Sequence, residues 1–168
     1  EGLVLLFSTH NIERMYEALV MKNRCQSYGT IESLIARDPH NRLKMKTSGT
    51  RGKLAITHYN VLEIFDRHLH MEFKLETGRT HQIRVHASEL LKMPIICDST
   101  YSSTNEHMMK LGPVYKELIG DYPYPFLHAK ILGLTHPITG EKLRFEVPPP
   151  KLFQDVLNLS KKSNDKRI

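Results

Sequence analysis

The 168-residue, 19.5 kDa chain is 40% hydrophobic, enough for one packed domain and too short for two of ordinary size. Its 24 Lys and Arg against 18 Asp and Glu give a net charge of +6 and a pI near 9.3, a balance that favours polyanionic partners and points first to nucleic acid. Two distant cysteines, Cys25 and Cys97, exclude a disulfide framework and a zinc knuckle. The ten histidines lack carboxylates or thiols at ligand spacing, and no run approaches the roughly 20 apolar residues of a membrane-spanning helix.

Residues 2–8 (GLVLLFS) have the texture of a buried strand, and residues 14–21 (RMYEALVM) resume it after THNIE, which predicts a hairpin or two neighbouring strands. GTIESLIA (29–36) continues as a strand. The pattern then breaks over residues 36–53 at Pro39, Gly49 and Gly52, which predicts a loop or hairpin tip. Within it, residues 42–53 carry five basic residues and no acid, among glycines that let the backbone approach a partner closely. Arg51 and Lys53 are the candidate phosphate contacts.

LAITHYNVLEIFD (54–66) and HLHMEFKLETG (68–78) read as paired strands joined near Asp66 and Arg67, with Met71, Phe73 and Leu75 alternating against Glu72, Lys74 and Glu76. The period then changes. Ile83, Ala87, Leu90 and Leu91 recur at helical spacing, with Thr80 as the expected N-cap and Pro94 as the stop. Arg79, His81, Gln82, Arg84 and His86 therefore crowd a strand-to-helix junction, where unpaired backbone N–H groups favour an anion.

Residues 98–120 read as an irregular connection with one short helix. Residues 126–149 read as strand, turn at 137–140, and strand. An amphipathic helix over 153–159 precedes KKSNDKRI (161–168), expected to be a disordered basic tail.

LETGRTHQIRVHASELLKMPIICDSTY (75–101), followed by LHAKILGLTHPITGEKLRFEVPPP (127–150), resembles the RluA-type RNA pseudouridine synthases; GTIESLIARDP and RGKLAITHY resemble the same family's central part. The resemblance implies an α+β catalytic domain over residues 1–160, incomplete at its N-terminus, built on a mixed, largely antiparallel sheet flanked by helices. It implies isomerisation of a flipped-out uridine to pseudouridine in structured RNA, ribosomal RNA first and tRNA next, with no cofactor and no metal. A monomer is expected, away from membranes, in the cytoplasm or in an organelle if a targeting segment lies elsewhere.

Carried over by position, Tyr16 in MYEALV matches the tyrosine that stacks on the target uracil and is a candidate for handling the proton at the reacting carbon. Arg84 in HQIR matches the arginine that pairs with the nucleophilic carboxylate. Arg79, Thr80, His81 and Gln82 are expected to present donors to RNA. Asp98 matches a family Asp of a structural turn, preceded here by Cys97 where the family has Gly. Met93-Pro94 stands in place of a His-Pro. The family nucleophile is an Asp in a His-Arg-Leu-Asp run, whose register falls about four residues ahead of Glu1. A relative without that Asp would act instead as an RNA-binding ribosome-assembly factor. A basic protein-interaction domain with no RNA role would show salt-insensitive behaviour.

Overall fold

Seven strands form a single sheet in the computed structural model, which describes residues 12–165. They are β1 (Ile12–Met21), β2 (Tyr28–Arg37), β3 (Met45–Ser48), β4 (Lys53–Ile64), β5 (His68–Leu75), β6 (Leu127–Thr135) and β7 (Lys142–Glu146). The spatial order is β3-β2-β4-β5-β1-β6-β7, and every pairing among the described strands is antiparallel. The expected α+β class therefore appears with an antiparallel sheet. The predicted strand at 2–8 lies outside the described residues. β1 is flanked by β5 on one edge and β6 on the other.

Cross-strand register sorts the side chains onto two faces. Tyr16 stands opposite Phe73, Ala18 opposite Met71, and Thr57 opposite Leu75, which places all six on one face. Glu17, Leu19, His70 and Glu72 occupy the other. A short helix α1 (Gln82–Val85), widened into a π-helical turn over His86–Leu90, packs on the first face. There Gln82 Nε2 and His86 Nδ1 each lie 2.9 Å from Thr57 Oγ1. Helices α2 (Thr104–Leu111) and α3 (Pro113–Ile119) follow, and α4 (Lys151–Asp165) covers the second face. α4 buries Phe153, Val156, Leu157 and Ser160, one stripe at helical spacing. Its Phe153 ring meets His70, and its Ser160 hydroxyl lies 3.0 Å from His68 Nε2. The main core is threaded by Leu19, Val20, Met71, Phe73, Ile95, Ile96 and Phe126. A second, small cluster of Ile35, Ala55 and Val85 lies under the β2–β3–β4 end, with Met45 and Tyr101 against it.

Several expectations are corrected in detail. Of the loop or hairpin tip expected over residues 36–53, the structure has a hairpin, and it adds a strand there: β3 pairs Met45–Ser48 with residues 34–37 of β2. The 98–120 connection holds two helices. Gly112, at φ 101°, turns between them in a conformation L-residues avoid, and Pro113 starts the second. The last helix extends through Asp165, so residues 161–165 of the expected tail are helical; residues 166–168 lie outside the described residues. Thr80 is exposed and does not cap α1. The N-cap is His81, held at φ 57° and ψ 19° with no capping bond from its side chain.

Lys92 also sits in the left-handed region, at φ 58°, just past the end of the π-helical turn, where Met93 N donates to Ala87 O. Because Lys92 is exposed and an L-residue is strained there, Lys92→Gly is expected to raise stability by about 0.5–1 kcal/mol. An unchanged or lower denaturation midpoint would contradict this reading of the turn.

Candidate nucleic-acid-modifying site

β1 presents Tyr16 at a place where its pairing with β6 slips register, between Met15 and Tyr16. Such an irregularity bends a strand and re-aims the side chain beside it. The half-buried Tyr16 ring faces a cavity of about 240 Å³ that Leu75, Arg79, His81, Gln82, Ile83, Arg84 and Leu127 complete. Residues distant in sequence, Tyr16 and the 79–84 run, thus meet in one place. This is the juxtaposition expected from the chain.

Arg84 lies on α1 with its side chain 18% exposed. Its Nε donates to Asp98 Oδ2 at 2.8 Å and its Nη2 to Asp98 Oδ1 at 2.6 Å, a bidentate pair with a carboxylate that is 1% exposed. The hydrogen bond to Asp98 holds the guanidinium pKa above its ordinary value against the opposing effect of burial. Tyr101 lies alongside, its ring centroid 5.0 Å from the guanidinium carbon. Nη1 makes no hydrogen bond among the described residues, which leaves it for a second anion.

Asp98 holds its turn as expected, accepting the Thr100 N–H at 3.2 Å, while its carboxylate also fixes Arg84. The turn's other special residue is Cys97, at φ 62°, a conformation that favours glycine and accounts for the glycine the family carries there. Burial pushes the Cys97 thiol up to about 11, so it is a packing residue rather than a nucleophile.

Gln82 departs from expectation. It is 2% exposed, and its amide is engaged on every side: Nε2 donates to Ile56 O and Thr57 Oγ1, while Oε1 accepts from Thr77 Oγ1 and Arg79 N. Such an amide has nothing left for RNA. It instead ties the loop after β5 to β4 and so fixes Arg79. Arg79 Nε donates to Leu54 O at 2.8 Å, which sets the cavity wall beside Lys53 of the basic hairpin. Arg51 lies in the connection from β3 to β4 and Lys53 opens β4; both are exposed, as is Thr80 in the loop at the cavity rim. His81 Nδ1 lies 2.9 Å from Tyr101 Oη, and burial followed by the Arg84 charge lowers its pKa, favouring the neutral ring.

Two residues that sequence reasoning did not select also shape the site. Arg14 is 7% exposed, and its Nη2 donates to Glu76 O, clamping the strap before Arg79 to β1. Gly78 lies where any Cβ would run into that guanidinium. Tyr101, the second, closes the Arg84 side. Their only sequence signals are a basic residue two before Tyr16 and a tyrosine three after Asp98.

Among the described residues no cluster of three or more His, Cys, Asp or Glu could hold a metal, and no helix is long and apolar enough to cross a membrane.

Comparison with known proteins converges on one family. Residues 1–89 match the family model described as RNA pseudouridylate synthase. The chain is 37% identical over 163 residues to the ribosomal large subunit pseudouridine synthase D of Pseudomonas aeruginosa, covering 97% of this chain and 50% of that protein. It is also 37% identical over 175 residues to the chloroplastic RNA pseudouridine synthase 2 of Arabidopsis thaliana, covering 94% of this chain and 40% of that protein. The chain thus spans half or less of the length of these relatives. In structure it superimposes on human RNA pseudouridylate synthase domain containing 4 with a TM-score of 0.71 at 25% identity, covering 95% of this chain and 66% of that one. With human RNA pseudouridylate synthase domain containing 1 the TM-score is 0.69 at 27% identity, over 89% and 59%. Sequence and fold agree across these matches, and the chain belongs to the RNA pseudouridylate synthase family.

Proposed function

We propose that this chain is the catalytic part of an RNA pseudouridine synthase that isomerises a uridine in structured RNA. The observation that carries the reading is the meeting of Tyr16, Arg79, His81 and Arg84 around one cavity, next to a basic hairpin. The relatives named for the ribosomal large subunit favour ribosomal RNA as the substrate. An extruded uracil stacks on the Tyr16 ring, with Leu75 and Leu127 as apolar walls, and the cavity repays part of the few kcal/mol of unstacking.

In the reaction the bond from C1′ to N1 breaks and a bond from C1′ to C5 forms. The C5 proton leaves and N1 gains one, so the balance closes without cofactor or redox partner. In this reading Tyr16 handles the proton at C5. Arg84, which lines the cavity, holds the nucleophilic Asp ionised, that residue being expected ahead of Glu1. His81 and Arg79 supply donors to the flipped nucleotide or its phosphate.

The direct test incubates the whole protein that carries this chain with ribosomal RNA transcripts and maps pseudouridine by carbodiimide-dependent primer extension. A new stop at a uridine supports the reading. RNA binding with no product points to the non-catalytic assembly-factor role instead. Neutralising Arg51 and Lys53 together is expected to weaken binding across RNA sequences and to flatten the log–log salt dependence by about 1 for each charge removed. A slope identical to that of the unaltered protein would remove this hairpin from the interface.

A further inference from the structure

Tyr101 joins β3 to the strand-to-helix junction that carries His81 and Arg84. Its hydroxyl oxygen accepts the backbone N–H of Met45, the first residue of β3, at 2.9 Å. The same oxygen lies 2.9 Å from His81 Nδ1, and the two rings meet edge to face with centroids 5.6 Å apart. A phenol has one hydrogen. With Met45 donating into the oxygen, that hydrogen is free for Nδ1, and in this arrangement a neutral His81 carries its own proton on Nε2. Two cations complete the arrangement: the Arg84 guanidinium carbon lies 5.0 Å from the ring centroid, and Lys44 Nζ, from the hairpin, lies 6.0 Å from it.

The hairpin is held to the site by few other contacts. Glu89, in the π-helical turn, accepts both the N–H and the hydroxyl of Thr47. Ile35 of β2 and Ala55 of β4 pack with Val85 of α1 in the small cluster that Met45 and Tyr101 border, and Ser33 Oγ of β2 lies 3.0 Å from His86 Nε2. Beside these links, the Tyr101 hydroxyl is the direct polar connection from the β3 backbone to His81, with Arg84 against the same ring.

We propose that Tyr101 is a positioning residue that couples the basic β2–β3 hairpin to His81 and Arg84, so that RNA engaging the hairpin sets the geometry of those two side chains. The inference rests on the reading of the Tyr16 cavity as the uridine site. Tyr101 touches no reacting atom; it orients the imidazole and seats the guanidinium, and its hydroxyl is the part that senses β3.

Three measurements on the whole protein test it. In the unaltered protein at neutral pH, ¹⁵N spectra of the His81 imidazole should show Nδ1 as an unprotonated acceptor and Nε2 as the N–H. In Tyr101→Phe, which keeps the ring and loses the hydroxyl, those resonances should move toward a tautomer mixture. Second, Thr47→Val, which loosens the hairpin anchor, should shift the His81 signals when Tyr101 is present and leave them unmoved in the Tyr101→Phe background. Third, kcat for pseudouridine formation in Tyr101→Phe should fall about tenfold, with KM changing less than about twofold, because positioning is lost while the phosphate contacts remain.

His81 resonances identical in the two proteins, an equal response to Thr47→Val in both, or an unchanged kcat in folded Tyr101→Phe would each overturn the coupling. Should Tyr101→Phe not fold, a protonated Nδ1 in the unaltered protein would refute it. Should the unaltered protein make no pseudouridine, the functional reading fails, while the two spectroscopic measurements still decide the coupling.

Discussion

Arg84→Ala is expected to remove pseudouridine formation, by about 10²–10³-fold or more, and to cost about 3–5 kcal/mol of stability. Both effects have one origin. Asp98 is 1% exposed and receives two charge-assisted hydrogen bonds from Arg84, so the alanine variant leaves a buried carboxylate without its cation. The catalytic loss follows from the missing guanidinium beside Tyr16. Set against the 5–15 kcal/mol that domains usually hold, the cost is large. Activity should be measured well below the variant's midpoint, with denaturant unfolding alongside. Arg84→Lys keeps the charge and loses the fork, so it should recover much of the stability and little of the activity. A variant that folds as tightly as the unaltered protein would show that Asp98 finds another partner, and full activity would remove Arg84 from the site.

The second large effect is acid sensitivity. Burial lowers His68 and His86 to about 4 from an ordinary value of 6.5, and both are almost wholly buried. The His70 and Lys22 charges lower His68 further, whereas Glu89 opposes the shift of His86. Between pH 6.5 and 4 the unfolded chain takes up protons that these folded imidazoles refuse. Stability is therefore fully present above 6.5 and falls as the pH drops toward 4, by about 1.4 kcal/mol per pH unit for each histidine, and these two contributions level off below 4. His107 and His81 are shifted the same way, chiefly by burial, and act in the same sense. Urea unfolding at pH 7, 6, 5 and 4.5 measures this directly; midpoints flat across that range would mean that the imidazoles are hydrated or already charged in the fold.

The strands were largely legible from the chain because their faces differ. Met71, Phe73 and Leu75 alternate against polar neighbours, and the structure buries all three. β3 was not legible: four residues, Met45–Ser48, all of them half-buried and set among lysines and glycines, carry no alternation that a loop would lack. The helix start was misplaced by one residue because Thr80 has the chemistry of a cap, whereas the chain turns by putting His81 into a left-handed conformation that sequence does not announce. At the site, Tyr16 and Arg84 could be named and their meeting anticipated. The saturation of Gln82 could not, since its four partners come from Ile56, Thr57, Thr77 and Arg79 and depend on register. Likewise, residues 85–97 between Arg84 and Asp98 hold a helix end and a turn, and nothing local reports that the chain comes back to close an ion pair.

The two margins of the sheet have a bearing on the protein's solution behaviour. β3 and β7 are the outer strands of the described sheet; the outward N–H groups of Met45 and Thr47 on β3 are taken by Tyr101 Oη and Glu89 Oε2, whereas β7 leaves a row of backbone groups to which a second molecule could add. Both are short. β3 carries Lys46 and follows Lys44, while β7 carries Lys142 and Arg144 and runs straight into Pro148, Pro149 and Pro150, which offer no N–H to an incoming strand. β7 also exposes Phe145, 54% accessible, so charge and proline guard an otherwise sticky edge. The basic residues on these margins thus keep copies of the sheet from polymerising edge to edge, and neutralising them is expected to exchange charge repulsion for self-association.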